Sequence, residues 1–292
     1  MARPAALIYN PAAGRQRAAT LVTQLLKNLR RRGYETEPWP TAAPGDATAL
    51  AQKAAAAGAS TVFALGGDGT LREAAAGLLG SDVALGFLPA GTANVMAIAL
   101  GLPTHATAVA QRADRLVPVT VDIGRCGQEL FLMMASAGLD GAALHVVRPA
   151  LKRRLGRIGV ALAGLEAWWR YDYPAIEVAV GATRSEASLI VVSNSPFYGG
   201  AVRMAPDAAF DDGLLDVVLF RGSGRRATLS FAADLARCRH LSRPDTEHFQ
   251  TDRLRLLAPA GFAAQIDGEP RHAQAPLDIH IEPAALRLLR LP

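Results

Sequence analysis

The sequence predicts a two-domain protein, an α/β half followed by a mostly β half, and three observations carry that prediction. Over roughly the first third of the 292 residues, apolar strand-like runs alternate with helix-like stretches. From about Val117 onward the texture changes to short alternating apolar segments separated by turn residues. With 50% of its residues apolar, the chain is long enough to bury a core in each half.

Taken in order, Ala5–Tyr9 reads as a strand, Gln16–Arg32 has helical spacing with a basic outer face, and Ala47–Ala57 is an alanine-rich helix. Thr61–Leu65 is a further strand, Leu71–Leu79 a helix and Val83–Leu88 another strand. Val83–Gln111 carries no Asp, Glu, Lys or Arg and is long enough for a membrane span, but Pro89, Gly91, Asn94, Gly101 and Pro103 interrupt it. It is read instead as a buried strand, a glycine turn and a helix. Strands separated by helices imply a parallel sheet covered on both faces, and such sheets hold ligands at the carboxyl ends of their strands.

In the second half the expected strands are Val117–Ile123, Glu129–Ala135, Ile176–Val180, Ser188–Ser193, Leu214–Phe220, Leu254–Ala258 and Phe262–Ile266, in an antiparallel sheet or sandwich. Pro149–Pro174 breaks this pattern. It runs from Lys152, Arg153, Arg154 and Arg157 through Ile158–Leu165 to Trp168 and Trp169, a basic helix with an aromatic end. Such a helix suits a membrane interface; packing on the sandwich or on a second copy in a homodimer is the competing reading.

The formal charge of +5 suits an anionic membrane surface or a polyphosphate ligand. Its arginines are scattered, with no Lys/Arg run of the length used by nucleic-acid arms and no recognisable nucleic-acid module, so no nucleic-acid partner is expected. Cys126 and Cys238 have neither metal nor redox spacing and are read as inert thiols of a reducing compartment. Met1–Pro4 leads into a strand without the apolar core of a signal peptide, which gives a cytoplasmic expectation.

Chemistry concentrates at three strand ends: Asn10–Gly14, Gly66–Thr70 and Gly91–Asn94. The order strand, Gly66-Gly67-Asp68-Gly69-Thr70, helix makes a phosphate site. Glycines let the backbone approach an anion, the helix start offers unpaired N–H groups, and Asp68 can reach a phosphate-bound Mg²⁺. The alternative is a tight turn in which Asp68 caps the helix.

The joint order of five motifs resembles the diacylglycerol kinase catalytic-domain superfamily, in particular bacterial lipid kinases similar to diacylglycerol and sphingosine kinases. They are Asn10-Pro11-Ala12-Ala13-Gly14, Gly66–Thr70, Leu88-Pro89-Ala90-Gly91-Thr92-Ala93-Asn94, Ala205-Pro206-Asp207 leading to Asp211–Asp216, and Asp267-Gly268-Glu269. The resemblance implies an α/β/α nucleotide-binding domain similar to those of NAD kinase and phosphofructokinase, over residues 1–117 and completed by 283–292. It implies a β-sandwich domain with an inserted helix over 118–282, with ATP and a lipid headgroup meeting between the two.

It also implies roles. Asn10, Thr41, Gly66, Gly67, Asp68, Gly69, Thr70, Leu71, Arg72, Gly91 and Thr92 match positions that hold ATP. Thr41 equally fits a loop that caps the next helix. Glu269 matches the general base, and Asp68 a residue that organises magnesium and the transferred phosphate. Asp267–Pro270 is also read as the turn of a hairpin joining Phe262–Ile266 to Pro276–Ile281. Asp212 with the carbonyls of Ala209 and Leu214 matches a structural Mg²⁺ site, separate from the Mg²⁺ carried by ATP; a solvated turn without an ion is the alternative. Asp216 is placed to orient the metal's waters.

Two departures stand out. Val95 occupies a position where an Asp is frequent in this group, leaving Asp122 as the remaining acid of that magnesium–water network. Arg15 replaces a frequent Lys, which keeps the charge and changes the geometry. The implied activity is transfer of the γ-phosphate of ATP to the hydroxyl of diacylglycerol or a related or sphingoid lipid at the inner face of a membrane. The alternatives are an NAD kinase or sugar-phosphate kinase, and a non-catalytic nucleotide or lipid sensor. The Asn-Glu pair and Gly-Ser-Thr-Ala stretch expected of an NAD kinase are not found in the second half, and Asp68 and Glu269 are both present.

Overall fold

The computed structural model describes residues 2–11, 18–146, 157–257, 262–274 and 276–292. The chain divides into two compact units, Met1–Asp122 with Ala284–Pro292, and Ile123–Pro283. The sequence-based boundaries were 117/118 and 282/283.

The first unit is a parallel sheet in the order β2-β1-β3-β4, continued by the end of β18. Its strands are β1 (Arg3–Tyr9), β2 (Tyr34–Pro40), β3 (Thr61–Gly66) and β4 (Ala84–Pro89). The helices are α1 (Ala18–Arg31), α2 (Asp46–Ala56), α3 (Asp68–Leu78), α4 (Val95–Ala99) and α5 (Ala106–Ala110). Every residue of β3 and β4 is buried, as in a sheet covered on both faces. One pair of helices, α1 and α5, packs together, and so does the pair α2 and α3.

The amphipathic α1 buries Val22, Leu25 and Leu29 and leaves Lys27, Arg30 and Arg31 exposed. The alanines of α2 have a physical reason. Ala47, Ala51 and Ala54 are buried, and a Cβ at Gly77 of α3 would lie 2.3 Å from the Thr48 carbonyl oxygen, so the two helices approach to backbone contact. In this unit the sequence reading missed β2, whose charged and proline-rich YETEPWP carries little strand signal. It is fixed by pairing with β1 over seven residues. At the other edge, Arg287 and Leu288 of β18 (Leu277–Arg290) pair in parallel with Ala84 and Leu85, so residues 284–292 belong to the first unit.

The second unit is a β-sandwich. One sheet has the order β14-β13-β10-β7-β16-β17 and is antiparallel throughout. Its strands are β7 (Met134–Gly138), β10 (Leu189–Ser193), β13 (Leu215–Phe220), β14 (Thr246–Thr251), β16 (Phe262–Ile266) and β17 (Glu269–Ala273). Against it lie β8 (Ile176–Val180), β9 (Thr183–Ala187), β15 (Arg253–Leu257) and the first part of β18, with β5 (Val117–Cys126) and β6 (Glu129–Phe131) forming a hairpin. A single apolar cluster joins the sheets, with Phe131, Ile176, Ile190, Val217, Leu254, Ile266 and Ile279 among its members. Short strands β11 (Phe197–Tyr198) and β12 (Val202–Arg203) make a separate ribbon.

Helices α6 (Leu139–Val146), α7 (Arg157–Arg170) and α8 (Gly224–Ala236) complete the unit. Two expectations are corrected here. Glu129–Ala135 is two strands, β6 and β7, interrupted at Leu132–Met133. The hairpin partner of Phe262–Ile266 is Glu269–Ala273, and Pro276–Ile281 lies in the other sheet, where β18 pairs with β15. The basic residues Lys152, Arg153 and Arg154 fall outside the described residues.

Candidate active site

The register of the parallel sheet brings the predicted turns to one edge. Tyr9 lies beside Pro40 and Leu65, and Gly66 beside Pro89, so the carboxyl ends of β1 to β4 are aligned. The strand order reverses between β1 and β3, the position where open parallel sheets form a ligand crevice. Asn10 follows β1 there and is half-buried; Ala12, Ala13, Gly14, Arg15 and Arg17 lie outside the described residues.

The second and third glycine turns are built against each other. Ala90 N–H donates to the Gly66 carbonyl at 2.7 Å. A Cβ on Gly91 would sit 2.7 Å from Gly67 Cα and 2.8 Å from Asn94 Oδ1, and one on Gly66 would sit 2.4 Å from Thr70 Oγ1. These are positions where a side chain has no room. Asn94, with φ 50°, closes its own turn: Oδ1 accepts Gly91 N–H at 2.9 Å and Nδ2 donates to the Gly91 carbonyl at 3.0 Å.

Asp68 links the two turns. Its Oδ2 accepts Val95 N–H and its Oδ1 accepts Met96 N–H, each at 3.1 Å. Burial pushes its pKa above the ordinary carboxylate range, against the backbone N–H bonds that pull it down. The helix-cap alternative thus takes a different form: α3 begins at Asp68 with Gly67 as its N-cap and no side-chain capping bond, while Asp68 serves the start of α4. Val95, in the place of the frequent Asp, is buried and contributes its N–H to this bridge.

The remaining predicted positions separate. Gly67, Gly69 and Thr70 form the half-buried first turn of α3, where helix N–H groups have no intrahelical partner and fit an anion. Arg72 is also half-buried, and Thr92 is exposed. Leu71 is fully buried and its N–H donates to the Gly67 carbonyl at 3.1 Å, which commits it to the core. Thr41 continues past β2, its N–H donating to the Tyr9 carbonyl at 2.9 Å. It does not cap α2, whose N-cap is Gly45; Asp46 gathers the N–H groups of Ala42 and Ala43 at 2.7 and 2.8 Å. Asp122, buried, accepts the N–H of Ala284 at 2.7 Å where β18 turns through a left-handed residue.

In the second unit Asp267-Gly268 is a two-residue turn with φ 46° and 81°, the geometry of a type I′ hairpin. The carboxylate of Asp267 accepts three backbone N–H groups, from Leu132 at 2.8 Å, Met133 at 2.9 Å and Met134 at 3.0 Å. Gln265 Oε1 accepts Gly268 N–H at 2.7 Å. Glu269, presented by this pinned turn, accepts Arg271 Nη2 at 3.1 Å. Burial holds Cys126 inert, its thiol pushed up to about 12.

At the expected metal turn, Asp212 Oδ1 accepts Leu214 N–H at 3.0 Å and Gly213 has φ 72°. Asp212 is exposed and Ala209 and Leu214 are half-buried, an oxygen set open to a hard cation, although Gln250 Nε2 lies 3.4 Å from Asp212 Oδ2 and competes there. Asp216, buried, is bonded to His248 at 2.7 Å and to Gln250 at 3.2 Å. Among the described residues there is no group of three or more His, Cys, Asp or Glu able to hold a metal ion.

Sequence reasoning passed over Asp140. In the first turn of α6 it receives the hydroxyls of Ser136 and, at 2.9 Å, Tyr198, with Gln265 Nε2 at 3.5 Å and Gly141 N–H at 2.7 Å. Burial pushes its carboxyl above the usual range. The available signal was an acid in Gly138-Leu139-Asp140-Gly141 directly behind an apolar strand.

The fold is a two-domain α/β plus β-sandwich architecture, and the comparisons agree. Residues 4–126 match the model of the diacylglycerol kinase catalytic domain, and 133–290 that of the YegS C-terminal NAD kinase beta sandwich-like domain. A diacylglycerol kinase of Bacillus subtilis is 29% identical over 272 residues, covering 91% of this chain and 89% of that protein. A Pseudomonas putida protein named "Probable lipid kinase YegS-like" is 31% identical over 282 residues, 94% of this chain and 92% of its own. A crystal structure of a Bacillus anthracis protein provisionally classed as a diacylglycerol kinase superposes with a TM-score of 0.83 at 22% identity, covering 99% and 98% of the two chains. The chain belongs to the family of diacylglycerol kinases and YegS-like lipid kinases.

Proposed function

We propose that this protein is an ATP- and Mg²⁺-dependent kinase that phosphorylates the primary hydroxyl of diacylglycerol or a related or sphingoid lipid. The observation that carries the reading is the Asp68 bridge, which ties two glycine turns together at the carboxyl ends of β3 and β4. The N–H groups of Gly67, Gly69 and Thr70, together with Asn10, Thr41, Arg72, Gly91 and Thr92, would hold the nucleotide. Mg²⁺ bound with ATP would supply charge neutralisation on the phosphates, and Asp68 is the acid that would help to hold it. Glu269 takes the proton of the lipid hydroxyl, a modest task in a reaction governed by positioning. A second, structural Mg²⁺ would be held by Asp212 with the carbonyls of Ala209 and Leu214.

No described helix is long and apolar enough to cross a membrane. The lipid is met at the membrane surface, and α7 is the element we assign to it. Trp168 is spent internally, its Nε1 donating to the Arg225 carbonyl at 3.0 Å, but Trp169 and Leu165, one turn apart, are each 59% exposed. The Arg225 guanidinium lies 4.1 Å from the Trp169 ring centroid and donates from Nε and Nη2 to the Trp169 carbonyl at 3.1 and 2.6 Å, which pins this end of α7.

The test is incubation with labelled ATP and a panel of neutral and sphingoid lipids in mixed micelles, with NAD and sugar phosphates in parallel. Label on a lipid is expected, and Glu269→Gln should lower turnover about 100-fold or more. Label on NAD or a sugar phosphate overturns the reading; full activity in Glu269→Gln removes the base assignment.

A further inference from the structure

We infer that Arg271 is a positioning residue for Glu269 and that Glu129 sets Arg271 for that task; the inference rests on the role proposed for Glu269. Residues 269 and 271 are two apart on β17 and therefore share a face. Arg271 approaches Glu129 fork to fork, Nε to Oε1 at 2.7 Å and Nη2 to Oε2 at 2.7 Å, while the same Nη2 reaches Glu269 Oε2 at 3.1 Å. Its third nitrogen, Nη1, donates to the Pro270 carbonyl at 2.9 Å. All three guanidinium nitrogens are thus committed, and one of them, Nη2, is shared between Glu129 and the Glu269 carboxylate.

The anchor comes from far along the chain. Glu129 opens β6, 142 residues before Arg271, so a hairpin of the opposite side of the sandwich core sets a side chain on β17. Behind the strand, the Arg271 carbonyl lies 3.0 Å from His145 Nε2 of α6, and the His145 and His272 rings stack at 4.0 Å, holding the backbone of the same residue.

Stability is a poor explanation for this arrangement. The three side chains are 31%, 42% and 43% exposed for Arg271, Glu129 and Glu269, a range in which ion pairs contribute little to folding. What it restricts is rotamer freedom in a carboxylate presented by a two-residue turn. Held in one place, Glu269 meets the substrate hydroxyl in a reactive geometry more often. A lysine at 271 cannot do this, because a point charge lacks the planar fork that serves Glu129 and Glu269 together.

The experiment compares full-length Arg271→Ala, Arg271→Lys, Glu129→Gln and the double variant Glu129→Gln/Arg271→Ala with the parent protein. Arg271→Ala is expected to lower kcat about 10-fold with the KM for ATP unchanged. Added ethylguanidinium should restore part of that loss, and Arg271→Lys should not. Glu129→Gln should lose less, and the double variant should be no worse than Arg271→Ala. In a crystal structure of Arg271→Ala the Glu269 carboxylate should occupy more than one position. A parental kcat in Arg271→Ala, or an unmoved Glu269 in its crystal structure, overturns the inference. Failure of the base reading is recognised separately, by full turnover in Glu269→Gln.

Discussion

The turn pair of the α/β unit and the β16–β17 hairpin of the sandwich both present carboxylates, and they hold them in opposite ways. Asp68 spends its two oxygens on backbone N–H groups of Val95 and Met96, and Asp267 spends its own on Leu132, Met133 and Met134. Glu269, between them in function, is held by a side chain, Arg271. A carboxylate bonded to the backbone is part of the frame and moves only if the frame moves. One bonded to a half-exposed guanidinium keeps its place at low cost and can exchange partners during a reaction. The difference separates residues that build the site from the residue proposed to act in it.

The largest effect expected from breaking this contrast is at Asp267. Asp267→Ala leaves three N–H groups without their acceptor, and stability should fall by about 3 kcal/mol, measured by urea denaturation. A loss below about 0.5 kcal/mol would show that the nest is not part of the frame.

Asp68 should give a smaller loss of stability together with a loss of turnover. In Asp68→Asn one N–H faces an amide group that cannot accept it, and a loss of about 1 kcal/mol is expected. The pH dependence has a definite sign. Burial raises the Asp68 pKa in the folded state, so the folded protein binds the proton more tightly than the unfolded chain. This contribution favours folding below the unfolded pKa and is lost as pH rises to and past the folded value. The parent's advantage over Asp68→Asn should therefore shrink from acid to neutral pH in thermal melts at a series of pH values. A gap that widens over that interval would contradict the burial effect.

The smallest effect on folding belongs to Trp169. Trp169→Ala removes an exposed ring, so melting should be unchanged within about 0.5 kcal/mol. Sedimentation with anionic vesicles should nevertheless show weaker binding than for the parent. Unchanged partitioning would take α7 out of the membrane reading.

How much of this was legible follows the distance over which each feature is encoded. The strand, glycine turn and helix around Gly66–Thr70 are contiguous, so their chemistry shows in ten residues of sequence. The partner of Asp68 lies 27 and 28 residues away, and nothing in the Gly-Gly-Asp-Gly-Thr run says that its carboxylate would take N–H groups from the neighbouring turn. The hairpin error has the same cause. Asp267-Gly268 is a clear turn signal, but Glu269–Ala273, with Pro270 and two charged residues, scores poorly as a strand beside the apolar stretch of 277–281. Backbone pairing with β16 decided it.

The sequence by itself determined the α/β and β halves, the glycine turns and the family motifs, because periodicity and turn chemistry are local properties of the chain. Only the tertiary structure decided which groups those turns bind: Asp68 to Val95 and Met96, Asp267 to the 132–134 backbone, and Arg271 to Glu129 from 142 residues away. Hydrogen-bond partners are chosen by what folding brings within about 3 Å. In a sandwich of crossing strands that proximity is set by register between distant segments.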